Sequence, residues 1–183
     1  MEKGFGEKAF LQKGFFTIDF TKSLVIKFSN QVEGIVEEKF MKVALCQAQK
    51  AKEQNEVPIG AVIVKDGKVI ARAYNTRNKT QNAVNHAEIL AISKACKKLK
   101  SWRLDECDIY VTLEPCPMCM GAILNARIKN LFFGAYDKTS GDNLIEIIAN
   151  SNRLNHKTNL FGGVLQEDCS SILTAFFENK RRK

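Results

Sequence analysis

Two short strings hold residue types that together can do metal-assisted chemistry: His86-Ala87-Glu88 and Pro115-Cys116-Pro117-Met118-Cys119. One imidazole nitrogen and two thiolates are the donor set of a catalytic zinc site, three protein ligands with the fourth tetrahedral position left to water. Two thiolates and a neutral imidazole balance the double charge of the ion, yet zinc still draws a bound water toward a pKa of ~7 and makes hydroxide available at neutral pH. Glu88 is surplus to that ligand count, and a carboxylate beside such a water can carry protons. His86, Cys116 and Cys119 are therefore read as metal ligands and Glu88 as the catalytic proton shuttle.

Other chemistries compete for the same residues. A lone C-x-x-C also occurs in thiol redox proteins, but here Pro117 and Met118 separate the cysteines and an H-x-E string accompanies them. A closed structural zinc site needs a fourth ligand, which Cys96 or Cys107 could supply only if the chain bent differently from the order of elements below. His156, the only other histidine, sits in a loop-like stretch and reads as a surface or hydrogen-bonding residue. Cys46 and Cys169 read as buried apolar residues.

For the two strings to form one site, the elements between them must return the chain to its starting edge. A first helix is expected over Glu37 to Glu53, where Phe40, Val43, Ala44, Ala48 and Ala51 recur at helical spacing. Two apolar runs, Ile59 to Val64 and Val69 to Tyr74, flank Asp66-Gly67, the pair that favours a tight antiparallel hairpin. A polar loop from Asn75 to Asn85 leads into a helix starting near His86, with Ile89, Ile92, Cys96 and Leu99 as its buried stripe. That helix rises ~21 Å and the strand Asp108 to Leu113 returns over ~20 Å, so both strings should lie at one edge of a sheet. Pro117 suits the first turn of the next helix, where the missing amide donor costs nothing, and Met120 to Ala126 continue it. Thiolates at a helix start also gain from its unpaired amides and the positive end of its dipole. Leu131 to Gly134 reads as a strand, Leu144 to Ala149 as a helix, and Ile172, Leu173, Phe176 and Phe177 mark a last amphipathic helix ending in Lys180 to Lys183. The expected fold class is α/β, a three-layer α/β/α arrangement with a mixed sheet of about five strands and helices on both faces.

Composition narrows the function classes. The 183 residues favour one domain, and 45% hydrophobic with 26% charged residues describe a globular chain rather than a disordered one. No apolar run approaches the ~20 residues of a membrane-spanning helix. The net charge of +8 favours polyanionic partners, nucleic acid among them. Six irregularly spaced cysteines do not make a secreted disulfide scaffold, and a cytoplasmic location is expected. Residues 1–36 stand apart: Phe5, Phe10, Phe15, Phe16, Phe20 and Phe28 interleave with lysines, without the continuous apolar stretch of an export signal or the arginines of a transit peptide. They read as an extension of unknown role, with residues 37–183 as the functional domain.

At His86-Ala87-Glu88 and Pro115-Cys116-Pro117-Met118-Cys119 the sequence resembles the zinc-dependent cytidine and deoxycytidylate deaminase superfamily, which carries this paired signature. Glu56-Val57-Pro58-Ile59-Gly60-Ala61-Val62, Val111 to Cys116, Ala126-Arg127-Ile128 and Phe133-Gly134-Ala135 resemble, within it, the bacterial tRNA-specific adenosine deaminases, over roughly residues 37 to 180. The resemblance implies a cytidine-deaminase-like fold, one zinc ion per subunit on His86, Cys116 and Cys119, and Glu88 moving protons. It further implies that Asn75 touches the adenine or its ribose and that Asp137 contacts the RNA ribose. Thr76-Arg77 and Asn85 depart from the family pattern, and the chain looks short around Ser140 to Leu144. The implied reaction is hydrolytic conversion of adenosine to inosine at the wobble position, on a tRNA anticodon stem-loop, in the cytoplasm, by a homodimer. Phe177, Lys180 and Arg181 add stacking and phosphate-binding chemistry suited to single-stranded RNA, while Phe176 reads as core. Two other readings remain open: deamination of a free base, nucleoside or nucleotide of the cytosine, guanine or deoxycytidylate type, and a non-catalytic zinc-containing RNA-binding protein, which leaves Glu88 without a role.

Overall fold

A computed structural model describes residues 37–137 and 144–181. The amino-terminal extension, the short stretch after Asp137 and the last two basic residues lie outside the described residues. Eleven elements follow one another among them: α1 (Glu38–Glu53), β1 (Gly60–Lys65), β2 (Lys68–Tyr74), α2 (Arg77–Thr80), α3 (Ala87–Leu99), β3 (Cys107–Leu113), α4 (Pro117–Asn125), β4 (Asn130–Ala135), α5 (Leu144–Ala149), β5 (Asn159–Phe161) and α6 (Gln166–Arg181).

The strands form one mixed sheet in the order β2-β1-β3-β4-β5. β1 is antiparallel to both β2 and β3, whereas β3, β4 and β5 run parallel. The β1–β2 hairpin turns as expected at Asp66 and Gly67, whose φ of 49° and 67° supply the two left-handed residues of a tight turn. On one face, α3, α4 and α5 cover a core built on Ile63, Ile109, Val111, Ile123 and Leu131. On the other, α1 and α6 cover Val62, Tyr110 and Phe132. Across that second face Tyr110, Phe132 and Phe161 stand in register on three adjacent strands and stack at 4.4 and 4.8 Å between centroids. The expected three-layer α/β/α class is the one observed.

Local differences from the sequence reading have physical causes. The face of α3 pressed onto the sheet is made of Ala87, Ala91 and Ala95 rather than the larger residues, because small side chains let the helix lie close to the strands. Ile92, Cys96 and Leu99 flank that stripe, partly buried. The segment Asn75 to Asn85 holds the short helix α2 rather than loop alone. Cys46 is exposed on the outer side of α1, a correction to its reading as buried, while Cys169 is fully buried as expected. An added Cβ at Gly60 would fall on the Ala44 carbonyl oxygen, so this glycine permits α1 to seat on β1. Among the described residues no helix is long and apolar enough to cross a membrane.

Candidate metal centre

The crossovers bring the two strings to one edge of the sheet, where β2 and β3 end. β3 runs to Leu113; Glu114 and Pro115 turn the chain, Cys116 caps α4, and Pro117 occupies its first turn. His86 occupies the corresponding cap position of α3. Neither His86 nor Cys116 caps its helix with its own side chain, and the positive dipole ends of both helices lie at the cluster. That field favours thiolate over thiol.

Nδ1 of His86 lies 3.8 Å from Cys116 Sγ and 3.5 Å from Cys119 Sγ. The three ligand atoms all fall within 4.8 Å of one another, the one such His/Cys/acid grouping among the described residues. Cys119 is fully buried while His86 and Cys116 are half-buried, leaving the centre walled on one side and open on the other. Hydrogen bonds from Cys119 and His86 hold the Cys116 thiol down at about 4. Sharing of that proton with Cys116, together with burial, pushes Cys119 up, and the thiolate beside His86 raises the imidazole. The Cys116 thiolate and the imidazole beside it thus stabilise each other as a pair.

Glu88, in the first turn of α3, is 3% exposed. Burial, the largest influence on it, raises its carboxyl above the usual range, against the pull of its own backbone amide and His86. Its Oε2 is buried without a hydrogen-bond partner, a costly state unless something else occupies the space it faces. Two thiols, one imidazole nitrogen and an orphaned acid oxygen fit a three-ligand zinc ion with a water beside the acid. Cys96 and Cys107 do not join them: Cys107 opens β3, at the opposite end of the strand from the centre.

Asn75 is 3% exposed, and its Oδ1 accepts the Ala87 backbone N–H at 2.8 Å. It is thus built into the start of α3, directly behind His86. Asp137 follows β4, and its backbone N–H donates to Glu114 Oε2 at 2.9 Å. Glu114 ties the Pro-Cys turn to the residues after β4, a role sequence spacing does not display because the link is spatial. Phe177, Lys180 and Arg181 are exposed on α6, on the opposite face of the sheet from α3 and α4, and are not drawn into the cluster. Phe176 is buried as expected, with Lys180 Nζ 5.0 Å from its ring centroid. His156 Nε2 donates to the Ile128 carbonyl oxygen at 2.8 Å, the hydrogen-bonding role expected of it.

Residues 35–181 match the family model described as MafB19-like deaminase. The chain is 46% identical over 148 residues to the tRNA-specific adenosine deaminase of Bacillus subtilis, covering 80% of this chain and 92% of that one. Among solved structures it resembles one from work on A-to-I editing by tRNA A34 deaminases at the wobble position, with 40% identity and a TM-score of 0.71 over 75% of this chain and 100% of the other. It also resembles a guanine deaminase from Bacillus subtilis at 34% identity and a TM-score of 0.55, covering 81% and 95% of the two chains.

Proposed function

From its membership of the MafB19-like deaminase family, we propose that this chain hydrolytically deaminates adenosine to inosine at the wobble position of tRNA. The observation that carries the reading is the convergence of His86, Cys116 and Cys119 around one point with the unpartnered Glu88 Oε2 beside it. Similarity to tRNA-specific adenosine deaminases over most of the chain supports the substrate class. The deaminase domain is assigned to residues 37–183, with residues 1–36 as an extension. A homodimer in the cytoplasm acting on the anticodon stem-loop completes the proposal.

His86, Cys116 and Cys119 would hold zinc, which when bound supplies Lewis acidity that activates a water at neutral pH. Water adds to C6 of the adenine while Glu88 accepts one of its protons and delivers it to ring N1, giving a tetrahedral carbon. The C6–N6 bond then breaks as Glu88 passes the remaining proton of that water to N6; ammonia leaves and C6 keeps the oxygen, so adenosine and water become inosine and ammonia. Burial suits Glu88 to this exchange, because raising a carboxyl above its ordinary range makes it a better proton acceptor. Asn75 fixes the first turn of α3 through Ala87 and so sets where His86 and Glu88 point. The target nucleotide has to turn out of its stack to reach the centre, which an anticodon loop permits at low cost.

Purified protein with a tRNA bearing adenosine at the wobble position should yield inosine, detected as a change in reverse-transcription or nucleoside analysis. Guanine and free adenosine in the same assay separate this reading from a free-base activity like that of the guanine deaminase it resembles. Turnover of guanine with no inosine in tRNA would overturn the assignment.

A further inference from the structure

The segment between Asn75 and His86 leads the chain into the metal centre, and it is held by a residue the reaction above does not use. Glu56, in the connection from α1 to β1, is 1% exposed. Its Oε1 accepts the Lys79 backbone N–H at 2.7 Å and its Oε2 accepts that of Asn78 at 3.2 Å. These are first-turn amides of α2, which has no side-chain cap of its own. A buried carboxylate whose two oxygens both serve distant backbone donors is an expensive way to hold a four-residue helix, since ordinary surface caps do the same from Ser or Asp within the chain. Gln54 adds a second tie, accepting from Lys79 Nζ and donating to the Tyr74 hydroxyl. At the other end of the segment the Thr76 N–H donates to the Asn85 carbonyl at 3.1 Å.

The residue this arrangement displays is Arg77, the first of α2. It follows Thr76, whose N–H is bonded to the carbonyl of Asn85, the residue preceding His86, so the backbone of Arg77 lies beside the start of the metal site. Arg77 is exposed and forms no ion pair with any described carboxylate. A guanidinium without an ion-pair partner among the described residues, carried on a backbone fixed beside a site that takes a nucleotide, is suited to a phosphate oxygen.

We infer that Arg77 binds a backbone phosphate of the RNA beside the target nucleotide, and that Glu56 is a positioning residue that holds Arg77 there by fixing the first turn of α2. The inference rests on the proposed RNA substrate. Glu56 touches neither substrate nor metal; it acts through the backbone of Asn78 and Lys79.

The test uses the full chain with a wobble-adenosine stem-loop, following inosine formation and, separately, RNA binding by fluorescence anisotropy at several salt concentrations. Arg77→Gln should raise KM and Kd about tenfold, leave kcat within about twofold, and lower the slope of log K against log salt by about one. Glu56→Gln, which retains one acceptor oxygen, should raise KM in the same direction by a smaller factor, with zinc content and melting temperature close to wild type. The double variant should lose no more binding than Arg77→Gln alone, because the two act in series. An unchanged salt slope in Arg77→Gln overturns the phosphate contact. Additive losses, or a fall in kcat without a change in KM for Glu56→Gln, overturn the positioning role. Wild type that binds the stem-loop without forming inosine sinks the proposed reaction instead, while the anisotropy series still decides the present inference.

Discussion

Cysteine and histidine gather at both ends of the central strand β3. Where β3 begins, Cys107 lies near Cys96, and His156 bonds to Ile128 just before β4. Where β3 ends, His86, Cys116 and Cys119 meet. Burial among apolar neighbours pushes the Cys107 thiol up to about 11, and Cys96 is also raised while its sulfur leans on the Trp102 carbonyl at 3.8 Å. At the other end, Cys116 is held down at about 4. Residue type is the same; what differs is the company, a second thiol and an imidazole at one end and burial at the other. At the far end burial disfavours the thiolates of Cys107 and Cys96, and at the near end hydrogen bonds from Cys119 and His86, beside two helix starts, favour the anion on Cys116.

The largest effect should come from exchanging one member of each group. Cys119→Ser should remove bound zinc and all measurable inosine formation, read by elemental analysis and by product assay. Cys107→Ser should leave zinc stoichiometry unchanged and lower stability by about 1–3 kcal/mol, since a hydroxyl replaces a buried thiol that has no strong partner. If Cys107→Ser strips the metal, the contrast between the two ends is wrong.

Within the near end, Glu88→Ala should separate binding from turnover. Inosine formation is expected to fall by about 10²-fold to 10⁴-fold or more, with zinc retained and the melting temperature maintained or raised, because the change also removes a buried acid oxygen without a partner. Loss of zinc together with activity would make Glu88 a ligand rather than a shuttle.

Much of this layout is legible in the sequence, because the signals are local: Asp66-Gly67 fixes the hairpin, Pro117 the start of α4, and strand lengths carry both strings to one edge. Other features are not. β5 is three residues long, too short for alternation to show, and is recognised only by its parallel pairing with β4. The alanine face of α3 defeats a search for large apolar residues, although it is what lets the helix settle on the sheet. Met41 and Gln47 join the buried side of α1, where burial is decided by the neighbouring strands rather than by side-chain polarity. Glu56 and Glu114 work through backbone amides more than twenty positions away, so no spacing rule reaches them.

Smaller effects should sharpen the same comparison. Asn75→Ala leaves the Ala87 amide without its acceptor and should cost about 1–2 kcal/mol in denaturant unfolding, together with a raised KM. No change in either would show that the start of α3 is fixed by other means. Lys180→Ala with Arg181→Ala, on the face away from the centre, should raise KM for the stem-loop only a few-fold, weaken its salt dependence, and leave kcat and zinc content alone. A fall in kcat would place α6 closer to the reaction than the fold does.

X-ray absorption at the zinc edge of the purified protein reads the coordination shell itself. The shell expected is two sulfurs at about 2.3 Å with one nitrogen and one further light atom at about 2.0–2.1 Å, preserved in Glu88→Ala. Three or four sulfurs around the ion, or a shell that loses an oxygen when Glu88 is replaced, would contradict an open three-ligand centre served by an uncoordinated acid.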